Sequence, residues 1–372
     1  MRVSSDYEAS LKALSSFKAS SHIFKGAGQM NYANQIKVQK KAEALIETLI
    51  KHLRFKDPNP KLFFKRGETV HIPDIHGDFV HLIKTLHRHG LLSKNLNLKK
   101  EYRYVFLGDF YDRGRVADVT DFWLNKQITR GVNIHRLAGN HEMTFIARDK
   151  DGSSFFTPAQ DSEKDRSNGF QVTEDILKNI SEGEILAIFV SPEENYGIPI
   201  SSSHSFLIKR DFEAVERDEA DIFGAAVALN ERFRELGEDS YERFLDCKER
   251  DKYNWREINE PFFNDPLFNI QSKVKGTYTS FLMRRPLKWG KTNEIARRLI
   301  EQIPKGVYQV VGHTTTKTFP LPKDVPSDRP LIVGNQDSSG YVQFSDVAIG
   351  FSYRKKLKRP DVIFKKEFAE QI

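Results

Sequence analysis

The chain has 372 residues, 39% hydrophobic and 12% aromatic with 28 phenylalanines, which supports a sizeable buried core and excludes an intrinsically disordered chain. Its formal charge of +7, from 58 basic and 51 acidic residues, suits anionic substrates and leaves no nucleic-acid footprint. The single cysteine, Cys247, rules out an intrachain disulfide framework, and no stretch reaches the ~20 apolar residues of a membrane helix.

The opening "MRVSSDYEASLKALSS" is polar and carries acids, unlike a secretory signal. A soluble protein of a reducing, cytoplasmic compartment is expected, with no membrane span and no nucleic-acid partner. Residues 6–56 read as helical, because Ile36, Ala42, Leu45, Ile46, Leu49, Ile50 and Leu53 recur mostly at three-and-four spacing. "KDPNP" breaks the pattern.

From about residue 60 to 146 strands and helices alternate. "ETVHI", "YRYVF" and "VNIHRLA" read as strands, while "DFVHLIKTLHRHG", "VADVTDFWLNKQI" and "EMTFIARDK" read as helices. That order predicts an α/β architecture with a parallel or mixed sheet covered by helices. Residues 147–200 read as an irregular insertion, opened by the turn-rich "DKDGSSFFTPAQDSEKDRSNG". "ISSSHSFLIKR" returns as a strand, and residues 211–255 read as a charged helical insertion. Cys247 sits there as an incidental thiol without the glycine-rich phosphate cradle of a cysteine-based phosphatase. A helix at "TNEIARRLIEQI" and strands at "VYQVVG", "PLIVGN" and "GYVQFSDVAIGFS" complete the sheets. The terminal "RKKLKR" reads as a solvated basic run. The domain division is therefore a helical extension over 1–58, a catalytic domain over 59–352 with insertions at about 147–200 and 211–255, and a basic tail over 353–372.

Five strands end in short turns that present Asp, His or Asn: "PDIHGD", "LGDFYDRG", "GNHE", "SHS" and "GHTTT". In an α/β sheet the carboxyl ends of strands converge on one crevice. Asp74, His76, Asp109, Asn140, His204 and His313 are thus expected to meet. Three imidazoles, two carboxylates and an amide suit two adjacent divalent cations of the Mn, Fe or Zn kind. A metal pair about 3.5–4 Å apart needs an anion between its members. Metal charge would also offset the several kcal/mol lost on burying a carboxylate such as Asp109.

The order D-x-H-G, G-D-x-x-D-R-G, G-N-H-E, H, G-H resembles the phosphoprotein phosphatase branch of the binuclear metallophosphoesterases, over about residues 68 to 315. The resemblance implies a metallophosphoesterase-like β-sandwich of mixed sheets flanked by helices. It implies Asp74 and His76 on one metal, Asn140, His204 and His313 on the other, and Asp109 between them. A hydroxide bridging the metals would attack phosphorus. His141, oriented by Asp112, would protonate the leaving alkoxide. Arg113 would grip the phosphate oxygens, with Asn140 beside it. The family's second phosphate-binding arginine maps to Arg284 or Arg285 in "TSFLMRRPLKW", with Arg284 preferred, and Glu142 would orient loops or ligands.

The sequence departs from the pattern at Pro73, where glycine is usual, and at Ser205, where glycine usually follows the histidine. The tyrosine-bearing loop of the eukaryotic enzymes has no counterpart in "PLPKDVPSDRPLIVGNQDSSGY", which points to a divergent, bacterial-type member. The expected activity is a metal-dependent phosphoprotein phosphatase, manganese the first choice of ion, acting on phosphoserine and phosphothreonine ahead of phosphotyrosine. Its partner would be a phosphorylated protein. A dinucleoside polyphosphate hydrolase on the same fold and a catalytically silent scaffold are the alternatives. "GHTTT" lacks the further histidine of the related nucleases. The extra segments and basic tail are compatible with a bacterial effector working inside a host cell. His71 and His135 read as ordinary strand residues, and His81, His87 and His89 as helix residues rather than a further metal site.

Overall fold

The computed structural model describes residues 32–53, 66–111, 117–146, 169–284, 302–313 and 331–333, apart from positions 68, 73, 78, 196–197, 251, 275–276, 303 and 305–306. In chain order, α1 (Tyr32–Leu53) precedes β1 (Thr69–Ile72), α2 (Phe79–Arg88), β2 (Arg103–Phe106), α3 (Ala117–Thr129), β3 (Asn133–Leu137) and α4 (Asn140–Ile146). Then come α5 (Gly169–Ser181), β4 (Ile185–Leu186), β5 (Ile188–Asn195), β6 (Ile198–Ser203), α6 (Lys209–Ala214), α7 (Ile222–Glu249) and α8 (Trp255–Asn264). A short hairpin of β7 (Lys273–Val274) and β8 (Thr277–Tyr278) leads to β9 (Tyr308–Val311) and β10 (Leu331–Val333).

Two sheets of four strands result. The first, β1-β2-β3-β4, is parallel throughout, and the second, β10-β9-β6-β5, is mixed because β5 runs antiparallel to β6. Alternation along the strands sorts their side chains between faces. Val70, Ile72, Tyr104 and Phe106 join the large core that includes Phe79, Leu82 and Trp123 of the covering helices. Val105, Leu107, Leu137 and Leu186 instead meet Phe189, Ile200 and Val310 in a separate apolar cluster between the sheets. Two histidines enter that interior. His71 Nε2 lies 2.8 Å from Ser202 Oγ, and the His135 ring stacks on Phe189 with centroids 4.0 Å apart. Burial, and then the charge of Arg103, lowers His71 to about 3 and His135 to about 4. The α/β sandwich expected from the sequence is the observed architecture.

The apolar run "EILAIFV" serves both sheets. Ile185 and Leu186 pair with β3, Ala187 belongs to neither sheet, and Ile188 begins β5. The backbone groups freed by this switch are taken up by one buried amide. Asn230 Oδ1 accepts from Ala187 N at 2.9 Å and Ile188 N at 3.1 Å, and Nδ2 donates to Ile188 O at 2.9 Å.

Three sequence expectations change. Residues 169–200 are not irregular, for they form α5, β4, β5 and the start of β6. The three-and-four spacing of Thr173, Ile176, Leu177 and Ile180 buries one face of α5, a signal overshadowed by the polar stretch before it. Residues 147–168 lie outside the described residues. The helices of 211–255 are not a peripheral insertion, because α7 buries Leu229, Phe233, Phe244 and Cys247 in the main core. Cys247, expected as an incidental thiol on a charged helix, is a buried core thiol. Helix α1 likewise seats Ala42 and Leu49 in that core, and Lys41 reaches Asp118 on α3 at 2.8 Å. The expected helix at 292–303 and the segment from 334 onward lie outside the described residues, apart from Gln302.

Candidate metal centre

Each turn after a strand is short, so strand register fixes where its polar residue lands. Ile72 of β1 pairs with Phe106 of β2, and Phe106 with Arg136 of β3. Asp74, Asp109 and Asn140 follow within two to four residues of those positions. In the second sheet Ser203 pairs with Val311, which sets His204 and His313 side by side. The turns are then tied together. Ile75 and His76 N–H groups both donate to Asp109 O, at 3.2 and 2.7 Å, and Gly77 N donates to Phe110 O at 2.9 Å.

His76, Asp109 and His313 all hold left-handed backbone, with φ of 49°, 52° and 66°. Non-glycine residues adopt that region rarely, and three of them in one cluster mark a strained, functional constellation. Gly108 is required twice over. Its φ is +101°, and a Cβ there would sit 2.6 Å from the Gly139 backbone and 2.9 Å from His204 Nδ1.

Asp109 is central. Its carboxylate lies 3.5 Å from His76 Nε2 and 3.8 Å from His141 Nε2 on one side, and 3.5 Å from His204 Nε2 on the other. His204 Nε2 is also 2.8 Å from Asn140 Oδ1 and 3.1 Å from His313 Nδ1. His204 Nδ1 meets Leu107 O at 2.8 Å, which orients the ring. Asp74 approaches from β1: Oδ1 accepts from His313 N at 3.2 Å and lies 3.7 Å from His204 Nδ1, and Oδ2 lies 3.9 Å from His76 Nε2. All these residues are buried. Two ligand groups emerge, His76 with Asp109 and His141, and Asp109 with His204 and His313, each with donor atoms within 4.8 Å of one another.

Glu142, at the start of α4, supports the cluster from below. Its Oε2 accepts from Asp109 N and Gly139 N, both at 2.7 Å, and its Oε1 from Phe110 N at 2.7 Å and Tyr111 N at 3.3 Å. Burial, followed by the charge of Asp109, raises this carboxyl to about 7 against the bonds donated by Gly139, Tyr111 and Asp109. Tyr111 ends the described part of the Asp109 turn, its hydroxyl donating to Asp121 Oδ1 at 3.1 Å.

Asp74, His76, Asp109, Asn140, His141, His204 and His313 are thus brought together. Asp112, Arg113 and Arg285 lie outside the described residues. Arg284 is a correction: it does not reach into the cluster as a phosphate ligand. Its guanidinium is buried against Asp211, Nη2 meeting Oδ1 at 2.6 Å and Nη1 meeting Oδ2. Nε donates to Thr279 O at 2.9 Å, and Nη1 also to Phe206 O at 3.2 Å. Ser205 donates to Arg284 O at 2.5 Å, so a hydroxyl is used where glycine is usual. Sequence reasoning missed Asp211, 73 positions from Arg284, and Gln309, which bonds the chain after His204 across 102 positions.

The donor set fits two divalent cations. Three acids, Asp74, Asp109 and Glu142, are buried within one polar cleft, and several kcal/mol would oppose each uncompensated charge. Imidazole and carboxylate donors in two groups sharing one carboxylate supply both the ligands and the counter-charge. The backbone makes room for this. A Cβ at Gly312 would meet Asp74 Oδ1 at 2.7 Å, and one at Gly139 would overlap the Asp109 carboxylate.

A family model described as calcineurin-like phosphoesterase matches residues 68–317. Solved structures similar to the chain include a cold-active protein tyrosine phosphatase, 16% identical with a TM-score of 0.40, covering 68% of this chain and 66% of that one. The cold-active protein-tyrosine phosphatase of a psychrophilic Shewanella species is 15% identical with a TM-score of 0.39, covering 70% of this chain and 73% of that one. No curated protein matches the sequence.

Proposed function

The chain belongs to the calcineurin-like phosphoesterase family, and we propose that it is a metal-dependent phosphoprotein phosphatase that hydrolyses phosphoserine and phosphothreonine monoesters. One observation carries the reading: Asp109 is shared by two buried groups, one with His76 and His141 and the other with His204 and His313. The "GDFYDRG" and "GNHE" turns, in the order and spacing of the phosphoprotein phosphatases, support the substrate class.

Asp74, His76 and Asp109 would hold one ion, and Asp109, Asn140, His204 and His313 the other, manganese being the proposed metal. When bound, the ions would supply Lewis acidity to the phosphoryl oxygens and acidify the attacking water. His141 gives a proton to the departing alkoxide. Its backbone N–H is fixed on Asp109 Oδ1 at 2.9 Å and its ring stands edge-on to His76, centroids 4.7 Å apart. Asp112 orients that imidazole, and Arg113 and Asn140 bind the phosphate. Glu142 keeps the Asp109 and Asn140 turns in register. The catalytic domain spans 59–352, with α1 packed on it. Among the described residues no helix is long and apolar enough to cross a membrane.

The test is phosphate release from p-nitrophenyl phosphate, a phosphothreonine peptide and a phosphotyrosine peptide, by protein stripped with chelator and reloaded with Mn²⁺, Fe²⁺ or Zn²⁺. Turnover restored by metal, with the phosphothreonine peptide cleaved faster than the phosphotyrosine peptide, is expected. Activity unaffected by chelation, or no turnover with any metal, overturns the proposal.

A further inference from the structure

Residues 204–208 form a buried segment that belongs to no strand or helix. A buried segment of this kind needs side chains to satisfy its backbone. Here they come from three places, two of them distant along the chain. Gln309 on β9 clasps Leu207 at both ends, its Oε1 accepting from Leu207 N at 2.6 Å and its Nε2 donating to Leu207 O at 3.2 Å. Asp211 accepts from Ile208 N at 2.8 Å. Arg284 donates to Phe206 O, and its own carbonyl accepts from Ser205. Arg284 and Asp211 are joined by two hydrogen bonds, and all three side chains are buried.

Both ends of this network bear on the cluster. Its near end is His204, directly before Ser205. Gln309 stands four residues before His313 on the strand that delivers that histidine. The backbone of 204–208 and the strand of His313 are thereby fixed against each other, whereas His76 and His141 follow strands of the first sheet.

On the two-metal reading above, we propose that Arg284, Asp211 and Gln309 are positioning residues that set the geometry of His204 relative to His313, and so govern metal retention at the Asp109–His204–His313 group alone. Arg284 acts through the backbone and touches neither metal nor substrate. Ser205 joins the network through its hydroxyl, which accounts for the loss of glycine there.

The experiment compares wild type with the double variant Asp211→Leu/Arg284→Met, which removes both buried charges together and leaves neither unpaired. A second variant, Gln309→Met, removes no charge and keeps side-chain length. Metal-stripped proteins are dialysed against Mn²⁺, the bound ion is counted by mass spectrometry, and the electron paramagnetic resonance spectrum is recorded beside a thermal melt. Wild type is expected to hold two ions with an exchange-coupled spectrum. Folded variants are expected to keep one ion with the spectrum of isolated Mn²⁺, affinity for the second falling roughly 10- to 100-fold. Two ions at wild-type affinity in a folded variant, or loss of both together, overturns the proposal. If the double variant does not fold, Gln309→Met decides by the same readouts. A wild type that holds no metal refutes the two-metal reading itself, before any variant is compared.

Discussion

The Asp109 N–H donates to Glu142 Oε2 at 2.7 Å across 33 positions of chain, so the central carboxylate residue is held by its backbone from a second turn. Glu142→Gln replaces one carboxylate oxygen with an NH₂ group, which then opposes two of the four N–H donors. Each unsatisfied buried donor costs about 1–3 kcal/mol, and relief of repulsion with Asp109 offsets part of that. A net loss of roughly 2–4 kcal/mol is expected from urea denaturation of the metal-free protein at pH 8. An unchanged midpoint would refute the clamp.

His141→Asn should leave two metals bound while lowering turnover about 10²- to 10⁴-fold. Acid assistance matters most for a poor leaving group, so the loss should be larger on a phosphothreonine peptide than on p-nitrophenyl phosphate. Metal analysis beside both assays checks this. Equal losses on the two substrates, or loss of a metal, would remove His141 from the role of acid.

His71 makes stability depend on pH. Burial holds it at about 3 in the folded protein, below the ordinary 6.5, so between those values the unfolded chain binds a proton that the folded one does not. Stability is complete above pH 6.5 and falls as pH drops towards 3, by up to about 1.4 kcal/mol per unit from this group. Urea denaturation in chelator at pH 7.5 and pH 5 should show a shallower fall for His71→Gln than for wild type. Parallel slopes would contradict the assignment.

Gly237→Ala tests the contact of α5 with α7. In an exposed helix that change stabilises by about 1 kcal/mol. Here the new Cβ would overlap Ile180 Cγ2 and lie 2.9 Å from Ile180 Cβ and 3.3 Å from the Ser181 backbone N. Overpacking of this kind costs about 1–3 kcal/mol, so steric conflict outweighs helix propensity. A lowered thermal midpoint is expected, and a raised one would show that the helices separate freely.

The sequence carried the strand-end turns well, because each follows an apolar run and holds metal-ligating residue types within a few positions of it. The alternation of strands and helices pointed to an α/β fold, and the two-sheet sandwich was what the family resemblance implied. What it could not carry was anything decided by distant partners. "MRRP" looks the same whether its first arginine binds phosphate or meets Asp211, 73 positions away. "EILAIFV" gives no sign that it serves two sheets, because the amide that splits it belongs to Asn230. Helix α5 lay in a region dominated by its polar approach. The burial of α7 was hidden by the charges on its outer face.

The switch at Ala187 divides the cluster in time as well as in space. A growing chain that has reached residue 187 already contains Asp74, His76, Asp109, Asn140 and Glu142, with the strands that align them. His204 and His313 do not yet exist. Until β6 and β9 arrive, Asp109 has His76 and His141 on one side but no imidazole on the other, and the inner face of the first sheet, with Val105, Leu107 and Leu137, stays uncovered. Closing the sandwich and completing the ligand set are therefore one event, and a half-made chain can neither bury its core nor gather its full set of ligands.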